Sequence, residues 1–162
     1  MADILPNITE SNVLNALRNY LLTIVGCEVI RGQVNRVSMP KGDFIVLTPI
    51  QRVALSTNVD EYVAASSKKT IERPIKFTVQ IDCYGGAAGE RAQTISMLLR
   101  DENSTLNFAG SGFDIATLYA DDPQQMPLLT GENQYLERWT FNAIIQMNPI
   151  VNIYQDFATS LD

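Results

Sequence analysis

Between Thr9 and Val25 the apolar residues Val13, Leu14, Leu17, Tyr20, Leu21 and Ile24 recur three or four positions apart. That spacing gathers them on one face of a helix, while Asn12, Asn15, Arg18 and Asn19 fall on the other. Thr9 or Ser11 is placed to cap the start and Gly26 to stop it, so a first helix is expected over residues 9–25. A second is expected over 90–100, with Ala92, Ile95, Leu98 and Leu99 inward, after a turn at Gly85-Gly-Ala-Ala-Gly89.

Other stretches carry the two-residue period of strands. Ile75, Phe77, Val79, Ile81 and Cys83 alternate with Lys76, Thr78, Gln80, Asp82 and Tyr84, which predicts a half-buried strand over 74–84. Tyr135, Glu137, Trp139, Phe141, Ala143, Ile145 and Met147 share a second parity and predict another over 134–148, ended or kinked at Pro149. The run Phe44 to Leu47 followed by alternation from Ile50 predicts a strand over 44–56, bent at Pro49. Shorter strands are read at Thr105 to Phe108 and Ile115 to Tyr119, and an edge strand from Ile150 to Phe157. Residues 28–43 and 120–133 read as irregular, and 58–69, polar and ending in Lys68-Lys69, as a mobile arm or hairpin tip.

The order helix, strands, helix, strands, with strong strands joined by loops, predicts an α+β fold. Its sheet is mainly antiparallel, mixed pairing being left open, with two main helices packed on it. With 162 residues and 46% hydrophobic content, the whole chain 1–162 is expected to be a single domain. No run of about 18 apolar residues spans a bilayer. The first residues lack the basic and apolar regions of a signal peptide, so a cytoplasmic site of synthesis is expected.

Composition narrows the chemistry. There is no histidine, which removes the residue that titrates near neutral pH without help, and with it Ser-His-Asp and Cys-His machinery and the common zinc sites. Cys27 and Cys83 are too few for a disulfide framework and read as free, buried thiols. The net charge of −6 is unevenly spread. Residues 1–100 hold nine acids and eleven bases, or +2, whereas 101–162 hold nine acids and Arg138 alone, or −8. Such asymmetry gives one surface reason to prefer an unlike surface on another copy, and a net acid chain is a poor general binder of nucleic acid.

Candidate motifs favour plain readings. Gly85 to Gly89 lacks the Gly-x-Gly-x-x-Gly spacing and the Lys-Ser or Lys-Thr of phosphate loops, so a turn is the better account. Ser66-Ser-Lys-Lys69 has the Ser-x-x-Lys spacing of serine acyl enzymes, but in a polar stretch that would leave the lysine solvated. Asp121-Asp122 offers hard oxygen ligands for calcium or magnesium, though a pair before proline reads more simply as a turn. Asp82 and Glu137 read as members of surface ion pairs. Tyr135, Trp139 and Phe141 could stack bases, but their parity assigns them to the core.

Several phrases, in order, resemble the phage neck-terminator (tail-completion) family. They are Arg31-Gly-Gln-Val-Asn-Arg-Val-Ser-Met-Pro40, Phe44-Ile-Val-Leu-Thr-Pro-Ile50, Arg52-Val-Ala-Leu-Ser-Thr-Asn58, Leu118-Tyr-Ala-Asp-Asp-Pro-Gln-Gln-Met-Pro127, Gly131-Glu-Asn-Gln-Tyr135, Glu137-Arg-Trp139 and Gln146-Met-Asn-Pro149. The resemblance spans residues 13–158 and implies a structural virion protein. Such a protein forms a homo-oligomeric, usually hexameric, ring at the head-proximal end of the tail, ends tube growth and meets tail-tube and neck or connector proteins. Genomic DNA would pass through without specific binding, no membrane would be involved, and assembly would occur in the bacterial cytoplasm. It implies no catalytic residue, cofactor or metal. A head-completion adaptor or a tail-tube component is the neighbouring alternative, and a small phosphate- or metal-dependent module or enzyme the alternative from another class. Lys68, Lys69, Arg73, Asp121, Asp122 and Glu132 are the residues expected at subunit interfaces.

Overall fold

The computed structural model of the protein describes residues 2–34 and 38–156, so Asn35 to Val37 of the expected loop and Phe157 of the expected edge strand lie outside the described residues. Its elements are α1 (Glu10–Leu22), β1 (Glu28–Arg31), β2 (Phe44–Ala54), β3 (Val59–Val63), a 3₁₀ turn (Ala64–Ser66), β4 (Lys68–Glu72), β5 (Ile75–Tyr84), α2 (Ala88–Leu99), α3 (Glu102–Ala109), β6 (Ile115–Ala120), β7 (Gln124–Gln125), β8 (Leu128–Leu129), β9 (Tyr135–Leu136), β10 (Arg138–Met147) and β11 (Ile150–Tyr154). The fold is α+β.

Thr9 starts α1 with a reciprocal cap. Its hydroxyl accepts from the Asn12 backbone N–H at 3.3 Å, and its own N–H donates to Asn12 Oδ1 at 2.9 Å. The helix ends at a Thr23 cap, three residues before Gly26. Val13, Leu14, Leu17, Tyr20 and Leu21 face the core. The main sheet runs β1-β2-β5-β10-β6, with β7 beside β10. All its pairings are antiparallel except β1 with β2, which makes it mixed. All three helices pack on one face, over Phe77, Val79, Ile81 and Cys83 of β5 and Phe141, Ala143, Ile145 and Met147 of β10.

Several sequence expectations change. Thr105 to Phe108, expected as a strand, belongs to α3. Asp101 caps that helix by accepting from Asn103 N at 2.9 Å, and Ser104 and Phe108, four apart, are its buried residues. The expected irregular stretch from 28 holds β1, which has one buried residue, Val29, too little to show a period. The bend at Pro49 is a bulge: Pro49 faces Val79, Gln51 faces Thr78, and Ile50 between them is left over. The bulge swaps the parity of β2 and turns Arg52 toward the helices, over Phe77 and 2.8 Å from Glu10.

Three strands continue past the main sheet. β2, β5 and β10 are prolonged by β3, β4 and β11, which pair in the matching order β3-β4-β11. Pro74 and Pro149 both lie at the break, Pro149 beside Arg73, and neither has an N–H to join a ladder. Arg73 N donates to Pro149 O at 3.3 Å and Leu55 N to Pro74 O at 2.9 Å, stitching the two sheets together. Residues 58–69, expected as an arm or hairpin tip, take the hairpin form.

Candidate functional site

A surface cleft of about 530 Å³ lies between α1 and α3 and is lined by Asn12, Asn15, Ala16, Asn19, Leu106, Asn107, Gly110, Ser111 and Phe113. None of these side chains ionises, so the cleft has nothing with which to move a proton. Burial pushes the Cys83 thiol up to about 12, with Cys27 and Asp82 adding to the shift and Arg91 opposing it. Burial also raises Cys27, Tyr20 and Tyr84, which keeps all four groups protonated at neutral pH. Arg91 is raised mainly by its hydrogen bond to Asp43.

The sequence motifs resolve into structure. Gly85 has φ +113°, and a Cβ there would fall 1.9 Å from Asp43 Oδ1, the carboxylate that pairs with Arg91. Gly89 lies against the Trp139 indole, where a Cβ would meet ring atoms at 3.1 Å. The glycine turn therefore lets α2 pack closely on the sheet. Ser66 Oγ reaches back to Val63 O at 3.4 Å, whereas Lys69 Nζ is 3.2 Å from Asp60 Oδ2, so the Ser-x-x-Lys pair is split between two local contacts. Asp122 is 95% exposed, with Arg100 Nη2 at 3.8 Å. Among the described residues no group of three or more His, Cys, Asp or Glu is placed to hold a metal.

Two expectations about β10 are corrected. Tyr135 is not in the core: β9 ends at Leu136 and β10 begins at Arg138, the break at Glu137 interrupts the alternation, and Tyr135 is 81% exposed. Asp82 is not on the surface either. It is 3% exposed, accepts from Arg138 Nε and Nη2 at 3.0 and 2.9 Å, and receives Gln80 Nε2 at 2.9 Å on its other oxygen. Arg138 also lies over Tyr84, which stacks on Phe44 at 4.6 Å, so the face without helices carries this cluster at one end. Glu137 accepts from Trp139 Nε1 at 3.0 Å rather than from a cation.

The six residues expected at interfaces are spread along the strands, with the basic three at one end and the acidic three away from them. Lys68 and Lys69 open β4 and Arg73 sits in the break, all at the end where Met147 faces Ile75. Asp121 and Asp122 follow β6 beside the middle of β10, where Asp121 N donates to Asn142 O at 2.9 Å, and Glu132 sits in the turn between β8 and β9, ahead of the end where Arg138 faces Tyr84. At about 3.3 Å per residue, the chain from Lys68 to Tyr84 reaches about 50 Å at most. The structure does not bring the two groups together within one copy.

Each end also shows apolar side chains that sequence reasoning missed. On one face of the β3-β4-β11 sheet the register aligns Val59, Val63 and Tyr154, which are 64%, 44% and 88% exposed. At the other end Leu129 and Tyr135 are paired across β8 and β9, at 55% and 81% exposure, with Met126 nearby at 52%. The available signal was the spacing Val59, Val63 inside a segment whose polar majority masked it.

A family described as phage neck terminator protein matches residues 11–162. Among solved structures, the sheath/tube terminator of an extracellular contractile injection system, the PVC particle in its extended state, superposes with a TM-score of 0.51 at 10% identity. That match covers 98% of this chain and 63% of the other, so this chain spans under two thirds of that protein's length. At this identity the likeness speaks for the fold. No curated protein matches.

Proposed function

The chain belongs to the phage neck terminator protein family, and on that premise we propose that it is a structural virion protein that ends tail-tube growth and joins the tail to the neck. The observation that carries this reading is the family match across residues 11–162, which includes the sheet, the helices and both exposed ends. The copies close into a ring, of six subunits, at the head-proximal end of the tail. Its partners are further copies of itself, the tail-tube protein on one side and neck or connector proteins on the other. Synthesis and assembly take place in the bacterial host cytoplasm.

The physical features suit such work. A ring built from one chain needs two unlike patches that fit each other, and the two ends differ in charge and shape. A net charge of −6 weighs against adhesion of the passing genome, whose phosphates it repels. The cleft offers no ionisable side chain and the Ser66 and Lys69 side chains are held in separate local contacts, so no catalytic role is assigned. Sedimentation of the purified chain together with gold-labelled antibody on intact particles tests the reading. A ring-sized species and label at the head–tail junction are expected, and a lone monomer absent from particles would end it.

A further inference from the structure

We propose that the β3–β4 hairpin end of one copy seats on the β8–β9 end of the next, in a repeated head-to-tail contact. This rests on the ring reading above and specifies which surfaces make the ring. The occupant of each end is a second copy of this chain.

The first support is that neither end has a core of its own. No residue of β3, β4 or β11 is buried, although the sheet exposes Val59, Val63 and Tyr154. The β8–β9 hairpin has two residues in each strand and leaves Leu129 and Tyr135 open to water. A small hairpin of that kind is marginal alone and gains stability by packing against something else. Exposed apolar groups on both ends give each a surface to bury.

Charge then chooses the pairing. From Val59 to Lys76 there are three acids, Asp60, Glu61 and Glu72, and four bases, Lys68, Lys69, Arg73 and Lys76, and Asp156, after the Gln155 whose N–H donates to Ser67 O, brings this end to a balance of 0. From Met126 to Glu137, the segment that holds β8 and β9, there are two acids, Glu132 and Glu137, and no base, a balance of −2. The next base, Arg138, is held by the buried Asp82 carboxylate and faces inward on its own cluster. Among the described residues Lys68, Arg73 and Lys76 have no ion-pair partner, nor does Glu132. Acidic end on acidic end would repel, whereas hairpin end on acidic end brings free cations to free carboxylates around an apolar centre. Such a contact between unlike patches propagates from copy to copy until a rotation closes it.

The test compares masses of the full chain in solution. One variant carries Lys68→Glu with Arg73→Glu, and a second carries Glu132→Lys with Gln134→Lys, both exposed in the β8–β9 turn. Each alone should associate at least ten-fold more weakly than the unmodified chain. An equimolar mixture, in which every contact again pairs opposite charges, should recover the larger mass. A third pair of variants, Tyr135→Ser and Tyr154→Ser, alters exposed side chains outside the core, should keep the thermal midpoint, and should weaken association at both ends. Ring mass retained by the charge-reversed variants, or a mixture that stays monomeric, overturns the end-to-end contact while leaving the ring standing. An unmodified chain that is monomeric at every concentration brings down the ring itself.

Discussion

At the scale of single residues, the Asp82–Arg138 pair and the Cys83 thiol are the groups whose burial carries consequences. Arg138→Ala would strand a carboxylate that is 3% exposed, and breaking a buried pair of this kind costs about 3–5 kcal/mol. Urea unfolding should report that loss, and the double change Asp82→Leu with Arg138→Met should cost much less than the single one. Cys83 gives a pH signature. Its thiol is raised from 9.0 to about 12 in the fold, so its contribution is fully present below pH 9. It is lost as pH rises toward 12, because the unfolded chain sheds the proton first. The thermal midpoint should fall above pH 9, and Cys83→Ala should flatten part of that slope. Parity in the sequence put Cys83 on the core side and Asp82 on the other face. It could not show that Asp82 lies beside Val46 and Thr140 across the two neighbouring strands and under the Arg138 side chain, because those neighbours come from distant segments.

At the scale of elements, periodicity found what burial had written over many residues. The long strands β2, β5 and β10 and the helices α1 and α2 each repeat an apolar position several times, so their places were legible within a few residues. α3 was not, because eight residues with two buried positions carry barely two turns of signal, and its clearest mark is the Asp101 cap. Asp101→Ala should therefore lower stability by about 1 kcal/mol in thermal or urea unfolding, the usual cost of losing such a cap. The three-stranded extension was hidden for another reason. Its strands are prolongations of main-sheet strands across two prolines, and only tertiary pairing brings Pro149 beside Arg73, the residue before Pro74. The extension contributes no residue to the core. Deleting residues 58–69 should leave a folded domain by circular dichroism that no longer forms the larger species by sedimentation; full-sized rings from the deletion would remove the hairpin from the assembly role.

At the scale of the whole molecule, the lopsided charge visible in the sequence is only partly a separation in space. The one base of the acidic part, Arg138, is used internally; Glu132 and Glu137 lie toward one end, Asp121 beside the middle of β10, and Asp114 and Asp156 at the end that carries Lys68 and Arg73. The sequence showed the imbalance but not its direction, since direction depends on which way β5 and β10 run and where each small hairpin leaves them. Of the residues expected at interfaces, Lys68, Lys69 and Arg73 fell at one end and Glu132 toward the other, and the exposed apolar residues at these ends became visible only in the fold. The central claim is that this domain stops a growing tube and fastens it to the head. The most direct measurement is the distribution of tail lengths, in electron micrographs, of particles made without this protein. Tails of unregulated length that are not joined to heads are expected, whereas tails of normal length attached to filled heads would contradict the account.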